Sequence, residues 1–379
     1  MKFVTYAQTK FELEQATELN IRQVILSCRE LSRSIRNTAS ELEVLINYAF
    51  DLGLEIILEW DILVSESEFE AKVKVFGDIN IEKVSHLRIQ DLGVLEYVLE
   101  NTDKKIQYIA ETGNANLVGL KYLEEYIAER LDTLILSYQL PKTKLTEFRQ
   151  QLSCKLEILG LGPILLFYSP RELLSPLIDI RDEFIEATGE SEESPHKGFP
   201  IVQNQHGTFM YHLKDLCLLE EFSELEKIGI DYFRVDFNMI KKPHLLRQVM
   251  DVTNNKLSIK DFKTAYPKGL IKGYYNINKS NVLFSKLKNY RLIRKDKDYL
   301  GEVVEAIKDK YIVIKVKSES HLSLGTQIEF VTPEGKNIPF TISQLKSLSL
   351  NPIEKINKDQ IVLIDYRSGI WNKSQVYLA

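Results

Sequence analysis

The sequence predicts a TIM-like (β/α)8 barrel followed by a small all-β C-terminal domain. Two observations carry this. Over residues 1–240, eight short β-branched runs alternate with helix-length amphipathic segments. From about residue 300 the pattern becomes period-two alternation broken by Gly, Pro and Asn turns. Strands alternating with helices give a parallel sheet with helical crossovers. Eight units without a Gly-rich dinucleotide turn favour a closed barrel over a doubly wound open sheet.

In chain order the strand candidates are 3–7 (FVTYA), 23–28 (QVILSC), 55–61 (EIILEWD), 86–91 (HLRIQD), 106–112 (IQYIAET), 133–138 (TLILSY), 155–160 (KLEILG) and 232–237 (YFRVDF). Helical spacing of apolar residues marks KFELEQATEL, ASELEVLINYAFDLG, DLGVLEYVLENT, LVGLKYLEEYIAERL and KTKLTEFRQQL between them. The second of these is expected to start at Ser40 and to end at Gly53. Between the seventh and eighth strands, residues 161–231 are too long for one crossover. A helix over about 171–187 and a polar loop, GESEESPHKGFP, are expected there, at the face where insertions serve function. Residues 241–299 form a basic connecting segment packed on the barrel. Residues 300–379 form the β-domain, with TPEGK as a turn between runs.

Composition bounds the class. The chain has 379 residues, 44% hydrophobic and 27% charged, as soluble globular proteins do. No apolar run is long enough to span a bilayer, and the N-terminus lacks the apolar core of a signal peptide, so a cytoplasmic protein with no membrane partner is expected. The three cysteines, Cys28, Cys154 and Cys217, are far apart and form neither a disulfide framework nor a zinc set. Charge is lopsided. Residues 1–240 hold 24 Lys+Arg against 41 Asp+Glu, whereas 241–317 hold 19 against 7. A basic segment on an acidic body is a candidate nucleic-acid footprint, centred on Lys286, Lys288, Tyr290, Arg291 and Arg294. Its bland counterpart is a solvated surface, or a segment docked on the acidic body.

Barrel sites lie at the C-terminal strand ends. Read there, the polar candidates are Gln8, Ser27, Cys28, Arg29, Glu59, Asp61, Arg88, Gln90, Asp91, Glu111, Thr112, Asn114, Tyr138, Gln139, Arg234, Asp236 and Asn238. Such a rim suits a polar or anionic small molecule. It offers no HExxH, EF-hand, GxSxG or P-loop pattern, so no metal ligand set, serine nucleophile or triphosphate cradle is expected. Cys28 is a nucleophile candidate only through Arg29 beside it, which could lower its pKa. Asp91 reads equally as a ligand contact and as the cap of the following helix.

Six segments, among them CRELSRSIRNTASELEVLINYAFDLGLEIILEWDILV, RIQDLGVLEYV, LEILGLGPILLFYSPRELLS and YHLKDLCLLEEFSELEKIGIDYFRVDF, resemble the peptidase U32 family in order and spacing, over nearly the whole chain. The resemblance implies a barrel with a small C-terminal β-domain. It implies either collagenase-like proteolysis or hydroxylation of tRNA, rRNA or ubiquinone, often with a four-cysteine iron–sulfur cluster. At the strand-seven corner, Glu157, Gly162, Tyr168, Ser169, Leu173, Leu174 and Ser175 follow the family pattern. The family's His position is Leu161 and its two Cys positions are Leu165 and Glu172; only Cys217 matches a family cysteine. One thiolate cannot hold a cluster that takes four, so no cofactor is expected, and Leu161 and Leu165 should pack where ligands would sit. The Arg and Glu positions after strand six hold Tyr138 and Gln139, and Asn238 replaces an Arg.

What survives is Asp91, Asp236, Asp215 and the arginine region Arg29/Arg33/Arg36. The resulting expectation is a cluster-less U32 protein linked to RNA or quinone hydroxylation, with Asp91, Asp236 and Arg29 as catalytic candidates and Glu59, Glu111, Asn114, Tyr138 and Tyr168 as substrate rim. A cluster-bearing paralogue and RNA are its expected partners. The alternatives are a U32 peptidase and a non-catalytic binding or scaffold protein.

Overall fold

The computed structural model describes residues 1–111, 114–177, 184–190, 197–240, 242, 244–276, 298–317 and 322–379. The chain divides into two compact units, Met1–Lys279 and Ser280–Ala379.

In the first unit, β1 (Lys2–Tyr6), β2 (Gln23–Leu26), β3 (Glu55–Trp60), β4 (His86–Ile89), β5 (Lys105–Ile109), β6 (Leu131–Ile135) and β7 (Lys155–Gly162) pair in sequence order, each parallel to the next. After β7 come β8 (Leu165–Ser169), β9 (Phe184–Glu190), β10 (Lys197–Asn204), β11 (Gly207–Tyr211) and β12 (Asp215–Cys217), and then β13 (Tyr232–Val235). β13 lies parallel to both β7 and β1, with Tyr232 opposite Glu157 on one side and Lys2 on the other. This double pairing closes an eight-stranded parallel barrel and excludes an open sheet.

The helices are α1 (Lys10–Glu18), α2 (Ala39–Asp51), α3 (Glu66–Asp78), α4 (Leu92–Asn101), α5 (Leu117–Ile127), α6 (Lys142–Gln151), α7 (Phe222–Ile228), α8 (Leu245–Thr253) and α9 (Ile259–Ala265). They bury apolar stripes such as Leu42, Leu45, Ile46 and Ala49 of α2 in one core with the outward-facing strand residues. Each buried Leu or Ile contributes about 1.5–3 kcal/mol. The N-cap of α2 is Thr38, two residues before the expected Ser40. The Thr38 hydroxyl accepts from Glu41 N and the Glu41 carboxylate accepts from Thr38 N, a reciprocal cap that a start at Ser40 would forfeit. Gly53, at φ 71°, ends the helix as expected.

The helix expected over 171–187 is not formed. Residues 171–177 are turns, 178–183 lie outside the described residues, and β9 begins at Phe184. β8, β11, β10 and β9 make an antiparallel sheet inserted after the end of β7. The insertion needs Gly207: at φ 115°, a Cβ there would stand 2.1 Å from the Ser169 carbonyl oxygen. β12 runs antiparallel along the end of β7, and β14 (Leu270–Ile271) pairs with β12. Thus α8, α9 and β14 belong to the barrel unit.

In the second unit, β15 (Tyr299–Ile307), β16 (Tyr311–Val316), β17 (Leu322–Ser323), β18 (Gln327–Val331), β19 (Asn337–Thr341), β20 (Lys355–Ile356), β21 (Ile361–Asp365) and β22 (Gln375–Leu378) are all antiparallel. They enclose a core including Leu300, Ile314, Phe330, Val362 and Val376. Gly335, at φ 82°, turns the chain between β18 and β19 within the TPEGK segment.

Candidate active site: a charged barrel floor beneath an aromatic cleft

Period-two alternation sends every second strand residue inward. Toward the strand starts the barrel interior is apolar, with Val4, Ile25, Ile57 and Tyr232 in one cluster. Two residues further along the same strands the interior becomes polar and charged: Tyr6 on β1, Ser27 after β2, Glu59 on β3 and Arg234 on β13. Arg88 and Gln107 complete this layer from β4 and β5, and Glu157 from β7. Barrels usually fill this level with branched apolar side chains.

The layer is tied by ion pairs and hydrogen bonds, with the Tyr6–Glu59 pair standing apart from the arginine pairs. Arg88 Nη1 and Nη2 donate to the two Glu157 oxygens at 2.9 and 2.6 Å, while its Nε donates to Gln107 Oε1 at 3.0 Å. Arg234 Nη1 donates to Glu157 Oε1 at 3.2 Å and its Nη2 to Glu111. Arg33, from the loop after β2, pairs through Nε with Asp61 at 3.0 Å, and its Nη2 lies 3.9 Å from Glu111. The Tyr6 hydroxyl bonds Glu59 Oε2 at 2.9 Å. Three buried atoms of the layer, Glu59 Oε1, Gln107 Nε2 and Arg234 Nε, have no partner among the described residues. Burial, reinforced by the Asp61 charge, pushes the Glu59 carboxyl up to about 8. Burial likewise raises Asp236.

Above this floor lies a void of about 20 Å³, walled by Tyr6, Arg33, Asp61, Glu111, Tyr138, Tyr211, Arg234, Asp236 and Asn238. A cleft of about 820 Å³ opens beside it, sharing Arg33, Asp61, Tyr138 and Leu165 with the void. Aromatic residues line the cleft, including Tyr108, Tyr138, Phe167, Tyr168 and Phe209, and Gln90, Asn114 and Gln139 line it too. The inserted sheet forms one wall. Tyr168 of β8 stacks on Phe209 of β11 with ring centres 5.0 Å apart, and the Tyr138 hydroxyl donates to the Leu165 carbonyl at 2.6 Å.

Of the candidates from sequence, Asp91, Asn114, Tyr138 and Tyr168 meet in the cleft, and Asp236 and Glu111 wall the void. Asp91 also caps α4: its Oδ1 accepts from Gly93 N at 2.8 Å and Val94 N at 3.0 Å. Two assignments need correction. Glu59 is not a rim residue; at 1% exposure it sits below the rim, inside the barrel. Arg29 is not in the site: it pairs with Glu30 at 3.2 Å and lines a separate surface pocket with Arg36 and Glu172. Nor does Arg29 activate Cys28, because burial and the neighbouring Glu30 carboxylate push that thiol up to about 12. Thr112, Lys286, Lys288, Tyr290, Arg291 and Arg294 lie outside the described residues. Sequence reading missed Tyr6, Gln107 and Tyr211. Gln107 had a signal, a lone polar residue at an inward position of an apolar strand, as had Arg88 and Glu157.

The family's four-thiolate cluster does not fit these residues. The sequence has three cysteines. Cys154 precedes β7, whereas Cys217 pairs with Leu161 at the opposite end of that strand, about 20 Å away at the rise of a strand. Leu161 is fully buried in the core; Leu165 packs against the Val202, Phe209 and Tyr211 cluster; Glu172 is exposed and accepts from the Ser175 hydroxyl. Among the described residues no group of three or more His, Cys, Asp or Glu is placed to hold a metal ion.

A (β/α)8 barrel with a charged floor, an inserted sheet over its mouth and a separate antiparallel β-unit defines the class. The chain belongs to peptidase family U32: residues 10–266 match that family's profile, and residues 295–370 match its C-terminal domain. It is 24% identical over 155 residues to tRNA hydroxylation protein P2 of Bacillus subtilis (strain 168), covering 39% of this chain and 49% of that protein. The chain thus spans about half the length of this curated relative. Among solved structures, it is similar to the U32 peptidase Mk0906, with TM-score 0.36, 12% identity, and coverage of 43% of this chain and 70% of that one. It is also similar to the C-terminal domain of a protein described as a U32 peptidase from Geobacillus thermoleovorans, with TM-score 0.21, 16% identity, and coverage of 23% and 98%. At these scores the barrel assignment rests on the strand pairing itself. No helix among the described residues is long and apolar enough to cross a membrane.

Proposed function

We propose that this protein serves hydroxylation of tRNA or rRNA, receiving a nucleoside in the barrel-mouth cleft and working with a second, cluster-bearing U32 protein. The observation that carries the reading is the cleft of about 820 Å³ over the charged floor. Aromatic faces such as Tyr138 and Tyr168 can stack on a base, and the Gln90, Asn114 and Gln139 amides can bond its edges. Two facts support it further: the similarity to a tRNA hydroxylation protein and the excess of Lys and Arg over residues 241–317. The three cysteines do not fit a four-thiolate cluster, so the redox chemistry falls to the partner. A cytoplasmic location accords with this role.

The test is nucleoside mass spectrometry of tRNA and rRNA from cells with and without the gene. Loss of one hydroxylated nucleoside, restored by the wild-type gene but not by Tyr138→Ala, is expected; an unchanged nucleoside profile sinks the proposal. RNA binding should weaken with salt and on charge reversal of Lys286, Lys288, Arg291 and Arg294, and a tagged chain should co-purify a four-cysteine U32 protein. The peptidase reading is weaker. Its sequence-level nucleophile, Cys28, is buried and held as a thiol, whereas a cysteine peptidase needs an accessible thiolate.

A further inference from the structure

The barrel floor does not balance its charges. Among the described residues the network contains three guanidiniums, Arg33, Arg88 and Arg234, and five carboxyls, Glu59, Asp61, Glu111, Glu157 and Asp236. Four of those carboxyls are at least 95% buried. Unpaired charge is costly in such a place, and a buried acid keeps its proton instead.

Among the described residues two of these carboxyls have no ion pair: Asp236, which accepts from Asn238 N at 3.0 Å, and Glu59. Glu157 receives three guanidinium nitrogens, Asp61 is held by Arg33, and Glu111 by Arg234. Among the described residues Glu59 has no ion pair. It is 1% exposed, its Oε1 is buried with no partner among the described residues, and its Oε2 contacts only the Tyr6 hydroxyl. The groups facing it are Tyr6 from β1, Arg33 from the loop after β2, Asp61 just past the end of its own strand, Arg88 from β4 and Arg234 from β13, while Asp236, just past β13, faces Tyr6. Glu111 and Glu157 pair with Arg234, and Glu157 also with Arg88, two of the guanidiniums that face it.

We propose that Glu59 is a proton reservoir at the back of the site, and that Tyr6 is the relay that connects it to the void. Tyr6 touches both: its hydroxyl lies 2.9 Å from Glu59 Oε2, and the residue lines the void of about 20 Å³. With Glu59 neutral, its O–H donates to Tyr6 Oη, which frees the phenol hydrogen for an acceptor in the void. When that acceptor takes the phenol proton, the Tyr6 O–H bond breaks and the Glu59 proton moves to Tyr6 Oη. One proton has then left Glu59 for the ligand. The carboxylate left behind faces Arg88 and Arg234. The void itself is large enough for one water, which can occupy the acceptor position. This assignment does not depend on the ligand being RNA.

The full chain tests it by infrared spectroscopy. At pH 7 the carbonyl stretch of a buried protonated carboxylic acid should be present in the wild type and absent in Glu59→Gln. In the wild type it should fade as pH rises through about 8. Tyr6→Phe should keep the band but shift it, because the hydrogen bond to the acid is gone. Thermal melts add a second reading. Glu59→Gln, the neutral isostere, should melt at pH 7 within a few degrees of wild type, whereas Glu157→Gln should melt far lower. A band that survives in Glu59→Gln, or one that ignores pH in the wild type, overturns the reservoir. A band unmoved in Tyr6→Phe overturns the relay. If Glu59→Gln does not fold, the wild-type titration still decides the first point and Tyr6→Phe the second.

Discussion

Arg88 and Glu157 face each other across the barrel interior with both side chains fully buried, joined by two parallel hydrogen bonds of 2.9 and 2.6 Å. Such a pair says little about net stability, because desolvation offsets the attraction. Breaking it is a different matter. Glu157→Gln leaves Arg88 and Arg234 sharing a neutral amide where they shared a carboxylate, and should cost about 3–5 kcal/mol. Urea unfolding measures the loss. The double change Arg88→Met with Glu157→Leu should recover part of it, since no lone charge then remains on that side of the floor.

Asp91 separates two roles that one residue can play. Its Oδ1 accepts from Gly93 N and Val94 N at the start of α4, and its Oδ2 accepts from Val64 N at 3.2 Å. Asp91→Asn preserves an acceptor and should keep stability within about 0.5 kcal/mol, whereas Asp91→Ala should lose about 1 kcal/mol or more. If Asp91 also contacts the ligand in the cleft, Asp91→Asn will fold normally yet fail to restore the modified nucleoside. Normal modification with Asp91→Asn assigns the residue to capping alone.

Much of this architecture could be read in the chain because it depends on local period. Runs such as VILSC and IILEW bury both faces in a parallel sheet, and LEVLINYAF carries a helical stripe; neither depends on distant contacts. The insertion was illegible for the opposite reason. LLFYS and FIEATGE become strands only by pairing with β11 and β10, so their state is fixed by tertiary partners and not by their own pattern. The site divides along the same line. Asp91 and Tyr138 stand at strand ends and could be found by position. Glu59 lies at a strand end too, but its burial depends on Tyr6, Arg88 and Arg234 arriving from three other strands.

The thiols give a chemical check on the rejected nucleophile. Burial and the adjacent Glu30 carboxylate push Cys28 up to about 12, and burial with Glu124 pushes Cys154 equally to about 12. Cys217 is raised as well, by burial. A native sample at pH 8 should therefore react with a thiol-exchange chromogen only very slowly, while the same sample in guanidinium should release all three thiols. Rapid stoichiometric labelling of Cys28 in the native state would bring the cysteine-nucleophile reading back.

The start of β6 holds a carboxylate that should shape the acid limb of stability. Asp132 is partly buried, which alone would raise its pKa, yet hydrogen bonds from His86, Lys155 and Thr133 bring it well below the usual carboxylate value of 3.8. The Lys155 ammonium lies 2.8 Å from Oδ1 and His86 Nε2 lies 3.5 Å from Oδ2. Because the folded form holds this carboxylate ionised, its contribution is fully present above pH 3.8 and is lost as pH falls through the lowered folded value. Glu59 acts with the opposite sign. It retains its proton in the fold, so its contribution is largest below 4.5 and declines as pH rises towards about 8. Asp132→Asn should therefore flatten the acid limb of a stability–pH curve and leave the limb between pH 5 and 8 unchanged, while Glu59→Gln should do the reverse. Urea midpoints across pH 2 to 9 for the two variants resolve the limbs; an Asp132→Asn curve parallel to wild type below pH 4 would show that this cluster does not set the acid limit.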